Sequence, residues 1–205
     1  MREQVGIVST QFMKGVIFCD FDGTLTDIKS PWEFLLREHG KWHERGELCL
    51  RRWMNGEIDY YEFTRQEVEL FRGVSENDLR ASMSKITIHE EAKIFLDSAF
   101  KKGYGVYIIS TGIGDVVRET LKDFNLLGSF TNELSPADLS FEVNVSADKS
   151  CRVKSKKVIV KKLLKKHPKT FSLAVGDSEG DEGMFSAVGK SILLASRQGL
   201  LVSKI

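Results

Sequence analysis

The sequence predicts an α/β protein: a parallel sheet layered between helices, with an all-helical segment inserted after the first strand. Three observations carry that reading. Short, strongly apolar runs recur at 15–21 (GVIFCDF), 105–110 (GVYIIS) and 171–176 (FSLAVG), with a weaker copy at 191–195 (SILLA). Helical periodicity fills the intervals between them. One block, 31–85, contains no strand-like run at all.

The apolar runs are β-branched and end in small or polar residues, as strands covered on both faces do. Between them, Ala92, Phe95, Leu96 and Ala99 stand at helical spacing in 90–102. Val116, Val117 and Leu121 do so in 115–124, and Ile159, Val160, Leu163 and Leu164 in 156–166. Strands alternating with helices imply βαβ units and a parallel sheet. In the exceptional block, helices start at Ser30-Pro31, a cap followed by a first-turn proline, and at Ser75 with Asp78 three residues on. Its large apolar residues include Trp32, Phe34, Leu35, Leu36, Trp42, Leu48, Leu50, Trp53, Phe63, Val68, Leu70 and Phe71, enough for a small core of its own. It follows the first strand at the face where open α/β sheets bind ligands, so it reads as a lid. The expected division is a core of 13–28 and 87–205, a helical cap of 29–86 and an N-terminal extension of 1–12.

Composition excludes several classes. The chain has 205 residues, 41% of them hydrophobic, with 30 Lys plus Arg against 29 Asp plus Glu. That balance fits neither a disordered chain nor a globally basic nucleic-acid binder. The apolar stretches fall short of the ~18 residues a membrane-spanning helix needs, and 1–12 lacks the apolar core of a secretory signal. Cys19, Cys49 and Cys151 are widely spaced and odd in number, giving neither a zinc pattern nor a disulfide framework; a reducing, cytoplasmic setting follows. The segment 149–169 holds ten Lys or Arg and no acid. Its apolar residues place Lys157, Lys161, Lys162, Lys165 and Lys166 on the outer face of an amphipathic helix, with no aromatic interleaved to stack on bases. It therefore reads as a solvated face, with one lysine near its start free to point inward.

The chemistry concentrates at strand ends. In Asp20-Phe21-Asp22-Gly23-Thr24, the two carboxylates leave the first strand in about the same direction, because residues two apart share a face. Carboxylates so close repel unless a cation is shared, and Mg2+ suits oxygen ligands with positions left for water and phosphate. Gly23 permits a sharp turn and close approach of backbone N–H groups to an anion. Ser110-Thr111-Gly112 offers a hydroxyl and free amides ahead of a helix beginning near Gly114, a seat for phosphate. Asp177 stands directly at a strand end and Asp181 four residues later, where either acid could equally cap the next helix. Acid, hydroxyl and acid at three strand ends, with a lysine nearby, match the charge of a metal-bound phosphoryl group.

This combination resembles the haloacid dehalogenase-like hydrolase superfamily, whose four motifs are similar to Asp20-x-Asp22-Gly23-Thr24, Ser110-Thr111-Gly112, a lysine before the last βα unit, and Gly176-Asp177 to Asp181. The resemblance implies a three-layer Rossmann-like core with a helical cap. Helical register favours Lys156 as the lysine, whereas spacing to Asp177 equally allows Lys154. Within the superfamily, the segment 54–65 (MNGEIDYYEFTR) resembles the cap of the phosphoserine phosphatase branch, where Met54, Tyr60 and Arg65 match residues enclosing the substrate and holding its carboxylate. Two positions depart from that branch: Lys29 replaces a Glu that meets the substrate's amino group, and Gly180 replaces an Asn. Both put phosphoserine itself in question.

The implied mechanism has Asp20 as nucleophile, forming an aspartyl phosphate, and Asp22 as general acid and base. Mg2+ would be held by Asp20, the backbone carbonyl of Asp22 and Asp177, supported by Asp181. Ser110, Thr111, Gly112 and Lys156 would bind phosphate, and Lys29, Met54, Tyr60 and Arg65 would face the substrate. The expected partner is a small phosphorylated metabolite, with neither nucleic acid nor membrane, for a monomer or homodimer. A phosphotransferase or phosphomutase would use the same intermediate; a catalytically idle RNA-binding protein would use the lysine-rich helix instead.

Overall fold

A computed structural model of the chain describes residues 13–147 and 154–194 and the backbone of 202–204. The expected extension 1–12, Cys151 and the last residue of the 191–195 run lie outside these residues. Strand β1 (Gly15–Cys19) leads into α1 (Pro31–Glu38), a π-helical turn (Trp42–Gly46), α2 (Glu47–Met54), α3 (Tyr60–Leu70) and α4 (Glu76–Met83). Next come α5 (Glu90–Lys101), β2 (Tyr104–Ile113), α6 (Gly114–Thr120), β3 (Gly128–Ser135) and β4 (Ser140–Glu142). The chain continues through α7 (Lys156–Leu164), β5 (Phe171–Gly176), a 3-10 turn (Glu179–Asp181), α8 (Glu182–Phe185), β6 (Lys190–Leu193) and β7 (Val202–Lys204).

The seven strands lie in the order β4-β3-β2-β1-β5-β6-β7. β1 is central and pairs in parallel with β2 on one side and β5 on the other. The outermost pairings, β3 with β4 and β6 with β7, are antiparallel. Alternation along the inner strands separates two cores. Ile17, Cys19, Val106 and Ile108 join one apolar cluster, while Val16, Phe18, Tyr107 and Ile109 join another. Each face is therefore covered by helices, the three-layer arrangement of the Rossmann-like class. Burying a large aliphatic side chain on such a strand contributes about 1.5–3 kcal/mol, so β1, buried at every residue, anchors the sheet.

Register then positions the site. Cys19 lies level with Ile108 and with Val175, so the residues that follow β1, β2 and β5 emerge together at one sheet edge. The order turns from β2 to β5 around β1, making this the crevice where such sheets bind ligands.

The helices between β1 and α5 begin as the capping signals anticipate. Ser30 accepts a hydrogen bond from the Glu33 amide ahead of Pro31, and Ser75 accepts one from Asp78. Their packing divides: Cys49, Tyr60 and Phe63, with Leu50, Trp53 and Ile58 against them, form a small cluster of their own with Val143, while the other helices pack on the body of the protein. Trp32, Leu35, Leu36, Trp42, Val68, Phe71, Leu79 and Met83 share one cluster with Ile17, Cys19 and Val106 of the sheet and Leu96 of α5. Leu48, counted among the core-formers, is exposed. The cause is geometric: α1 packs on α4 and reaches β2, whereas α2 and α3 pack on each other. β3 and β4 have no counterpart in the sequence reading; β3 does not alternate, and two of its buried positions, Thr131 and Asn132, are adjacent and polar.

Candidate active site

Asp20 follows β1 and is anchored by its amide, which donates to the Val175 carbonyl at 2.9 Å. Its carboxylate and that of Asp22 are both buried. Gly23 has φ +72°, and a Cβ there would collide with the Asp177 carboxylate, so the turn after Asp22 requires glycine. The loop is tied to α5 by His89. Its Nδ1 accepts from the Ala92 amide at 3.0 Å, which leaves the ring proton on Nε2, 3.1 Å from the Thr24 carbonyl.

From β2, the Ser110 hydroxyl donates to Asp22 Oδ2 at 2.8 Å and accepts from the Gly112 amide at 2.8 Å. A Cβ on Gly112 would strike the same Asp22 oxygen. The other oxygen of Asp22, Oδ1, is buried and meets no hydrogen-bond partner among the described residues. Burial, reinforced by the charge of Asp20, pushes the Asp22 carboxyl up to about 8 against the opposing Ser110 hydrogen bond. Burial thus favours the protonated form of Asp22, whose Oδ1 stays unengaged among the described residues.

Lys156 resolves the choice between lysines. The first residue of α7, it is buried, with Nζ 2.8 Å from Asp20 Oδ1 and 2.6 Å from Asp181 Oδ1. Burial works against its charge, but the two carboxylates outweigh that and hold the ammonium above its usual range. For Asp20 burial raises the carboxyl, and Lys156 opposes it. Lys154 instead donates to the Val143 carbonyl and lies over the Tyr61 ring. Lys157, Lys161, Lys162, Lys165 and Lys166 are exposed on α7 and the turn after it.

Asp177 leaves β5 partly exposed, while Asp181 is fully buried. Asp181 Oδ2 accepts from the amides of Asp177 and Ser178 at 3.1 and 3.2 Å, reaching back over the turn as a capping acid while its other oxygen holds Lys156. Both readings of Asp181, cap and site residue, thus describe one side chain. Oxygens of Asp20, Asp177 and Asp181 lie within 4.8 Å of one another. This all-oxygen donor set fits a hard divalent cation such as Mg2+. Asp22 stands outside that trio, its carboxyl committed to Ser110.

The expected cap residues divide. Tyr60 is buried, its hydroxyl 3.5 Å from the Thr111 carbonyl. Lys29 is exposed and acts through its charge on Asp177. Met54 is 72% exposed, and Arg65 is turned outward, forked onto Glu62 at 2.7 Å through both Nε and an Nη. The structure does not bring these two to the site. Asn132 on β3, absent from the sequence reading, is fully buried there: its Nδ2 donates to the Thr111 carbonyl at 2.9 Å and to the Tyr60 hydroxyl at 3.2 Å. Its Oδ1 accepts from the amides of Asn144 and Val145 at 2.7 Å each. It joins the end of β2, the helical segment and the chain after β4.

Adjacent ends of a parallel sheet thus present buried acids beside a hydroxyl and a lysine. The profile of the haloacid dehalogenase-like hydrolases matches residues 17–186, and the chain belongs to that family. Over nearly its whole length it is similar to enzymes named phosphoserine phosphatase. That of Methanocaldococcus jannaschii is 25% identical over 90% of this chain and 87% of its own. That of Wolinella succinogenes is 25% identical over 84% and 83%. A solved phospho-aspartyl intermediate analogue of a phosphoserine phosphatase superposes with a TM-score of 0.72 at 25% identity, covering 89% of this chain and 87% of that one.

Proposed function

We propose that this protein is a cytoplasmic, Mg2+-dependent phosphatase that hydrolyses a small phosphomonoester through a phosphorylated Asp20, in the manner of the phosphoserine phosphatases it resembles. The observation that carries the reading is the division of labour between two neighbouring carboxyls: Asp20 is paired with Lys156, whereas Asp22, its carboxyl pushed up by burial, accepts from Ser110 and has no partner at Oδ1 among the described residues.

In the first step Asp20 attacks phosphorus, and the bond from phosphorus to the substrate oxygen breaks as Asp22 gives that oxygen its proton. The Lys156 ammonium keeps Asp20 available as an anion and neutralises part of the phosphoryl charge. In the second step Asp22, now a carboxylate, takes a proton from the water that attacks phosphorus and releases Asp20. The Ser110 hydroxyl and the loop amides orient the phosphate oxygens, and Asp181 holds both Lys156 and the Asp177 turn. Mg2+ held by Asp20, Asp177 and the Asp22 carbonyl, with Asp181 behind, would offset phosphate charge and favour in-line displacement. The helical segment 29–86 serves as a cap that limits water and selects substrate. The buried, unbridged thiols of Cys19 and Cys49 accord with a reducing compartment.

Turnover of p-nitrophenyl phosphate tests the proposal. Activity should require Mg2+, vanish with EDTA and be lost in Asp20→Asn; full activity in that variant would overturn it.

A further inference from the structure

One buried acid takes no part in that mechanism. Glu67 lies on α3, three residues after Thr64 and seven after Tyr60, so the three share the inward stripe of the helix. It is 1% exposed, and its Oε2 meets no donor among the described residues. Burial, with Glu33 adding repulsion, holds its carboxyl well above the usual range. An unpaired buried carboxyl works against folding. The fold nevertheless keeps it on the same buried stripe of α3 as Tyr60, whose hydroxyl lies 3.5 Å from the Thr111 carbonyl. Arg65, two residues earlier and rotated by about 200° along the helix, faces solvent on Glu62. The cap therefore turns a carboxyl inward and a guanidinium outward.

We propose that Glu67 reads the substrate, accepting the ammonium group of an amine-bearing phosphomonoester that carries no carboxylate. This rests on the phosphatase reading above and specifies its substrate class. An ammonium supplies the partner that Glu67 Oε2 lacks among the described residues, whereas a substrate carboxylate would be buried against another acid, with the Arg65 guanidinium turned away onto Glu62. Hydrogen bonds to a charged group contribute about 1.5–3 kcal/mol, so the ammonium should be worth roughly tenfold or more in affinity.

Calorimetric binding in Mg2+ buffer can read this without turnover. The probes are short ω-aminoalkylphosphonates, their n-alkyl counterparts with methyl in place of ammonium, and 2-amino-4-phosphonobutyrate, which carries both amine and carboxylate. An aminoalkylphosphonate should bind roughly tenfold or more tighter than the other two. The preference should collapse in Glu67→Gln and persist in Glu62→Gln, on the outer face. Equal binding of amine and methyl probes by the native protein overturns the inference whether or not Glu67→Gln folds, as does an unchanged preference in folded Glu67→Gln. Amine preference without turnover of any phosphomonoester would count against the phosphatase reading and uphold the binding role of Glu67. Turnover without amine preference would count against Glu67 alone.

Discussion

Lys156 and Glu67 are both buried ionisable side chains on helices, and their surroundings give them opposite consequences. Lys156 is enclosed by two carboxylates, and removing it leaves Asp20 and Asp181 close together without a countercharge. Lys156→Met should therefore lose about 3–5 kcal/mol in urea unfolding and abolish phosphatase turnover. Glu67 Oε2 has no such partner among the described residues. Because its folded carboxyl is raised, the folded chain keeps a proton that the unfolded chain releases above about pH 4.3. Its ionisation thus costs stability progressively as pH rises from there towards the folded value. The stability of Glu67→Gln relative to the native protein should accordingly rise from pH 4 to pH 8, by about 1 kcal/mol or more, as calorimetric melting across that range would show. A flat difference would mean that Glu67 titrates normally.

At the scale of elements, β1, β2 and β5 were legible because strands buried on both faces are unbroken apolar runs in the sequence. β3 was not legible. Its residues GSFTNELS contain no such run, and only the pairing of β2 with β3 makes Asn132 an interior residue. Asn132→Leu strands the amides of Asn144 and Val145 and frees the Thr111 carbonyl, at a cost of about 2–4 kcal/mol in denaturant unfolding. Activity should fall with it, since the same amide holds the end of β2. A signal for Glu67 did exist in the sequence. Tyr60, Phe63, Thr64, Glu67 and Val68 follow the i, i+3, i+4, i+7, i+8 pattern of a buried stripe, with one acid in it. Arg65 lies off that stripe.

For the whole molecule, the apolar cluster that α1, α3 and α4 share with the sheet should couple the helical insert to the rest of the fold, although Cys49, Tyr60 and Phe63 also form a smaller cluster of their own. All three tryptophans, Trp32, Trp42 and Trp53, lie in the insert. Their fluorescence therefore reports the insert, while far-ultraviolet circular dichroism reports the entire chain. The two should give coincident urea midpoints; fluorescence changing first would show an independently unfolding insert. Mg2+ should raise the melting temperature, because a cation bound only by the folded site stabilises it by mass action. Asp177→Asn should reduce that shift.

The sequence by itself determined the sheet, the insert and the four acids Asp20, Asp22, Asp177 and Asp181. Strand periodicity and the residues just beyond a strand end are local properties, readable along the chain. Only the tertiary structure chose Lys156 over Lys154, drew Asn132 into the site, joined part of the insert to the core and turned Glu67 inward in place of Arg65. Those outcomes depend on helix rotation and on which surfaces bury one another, and neither is a local property.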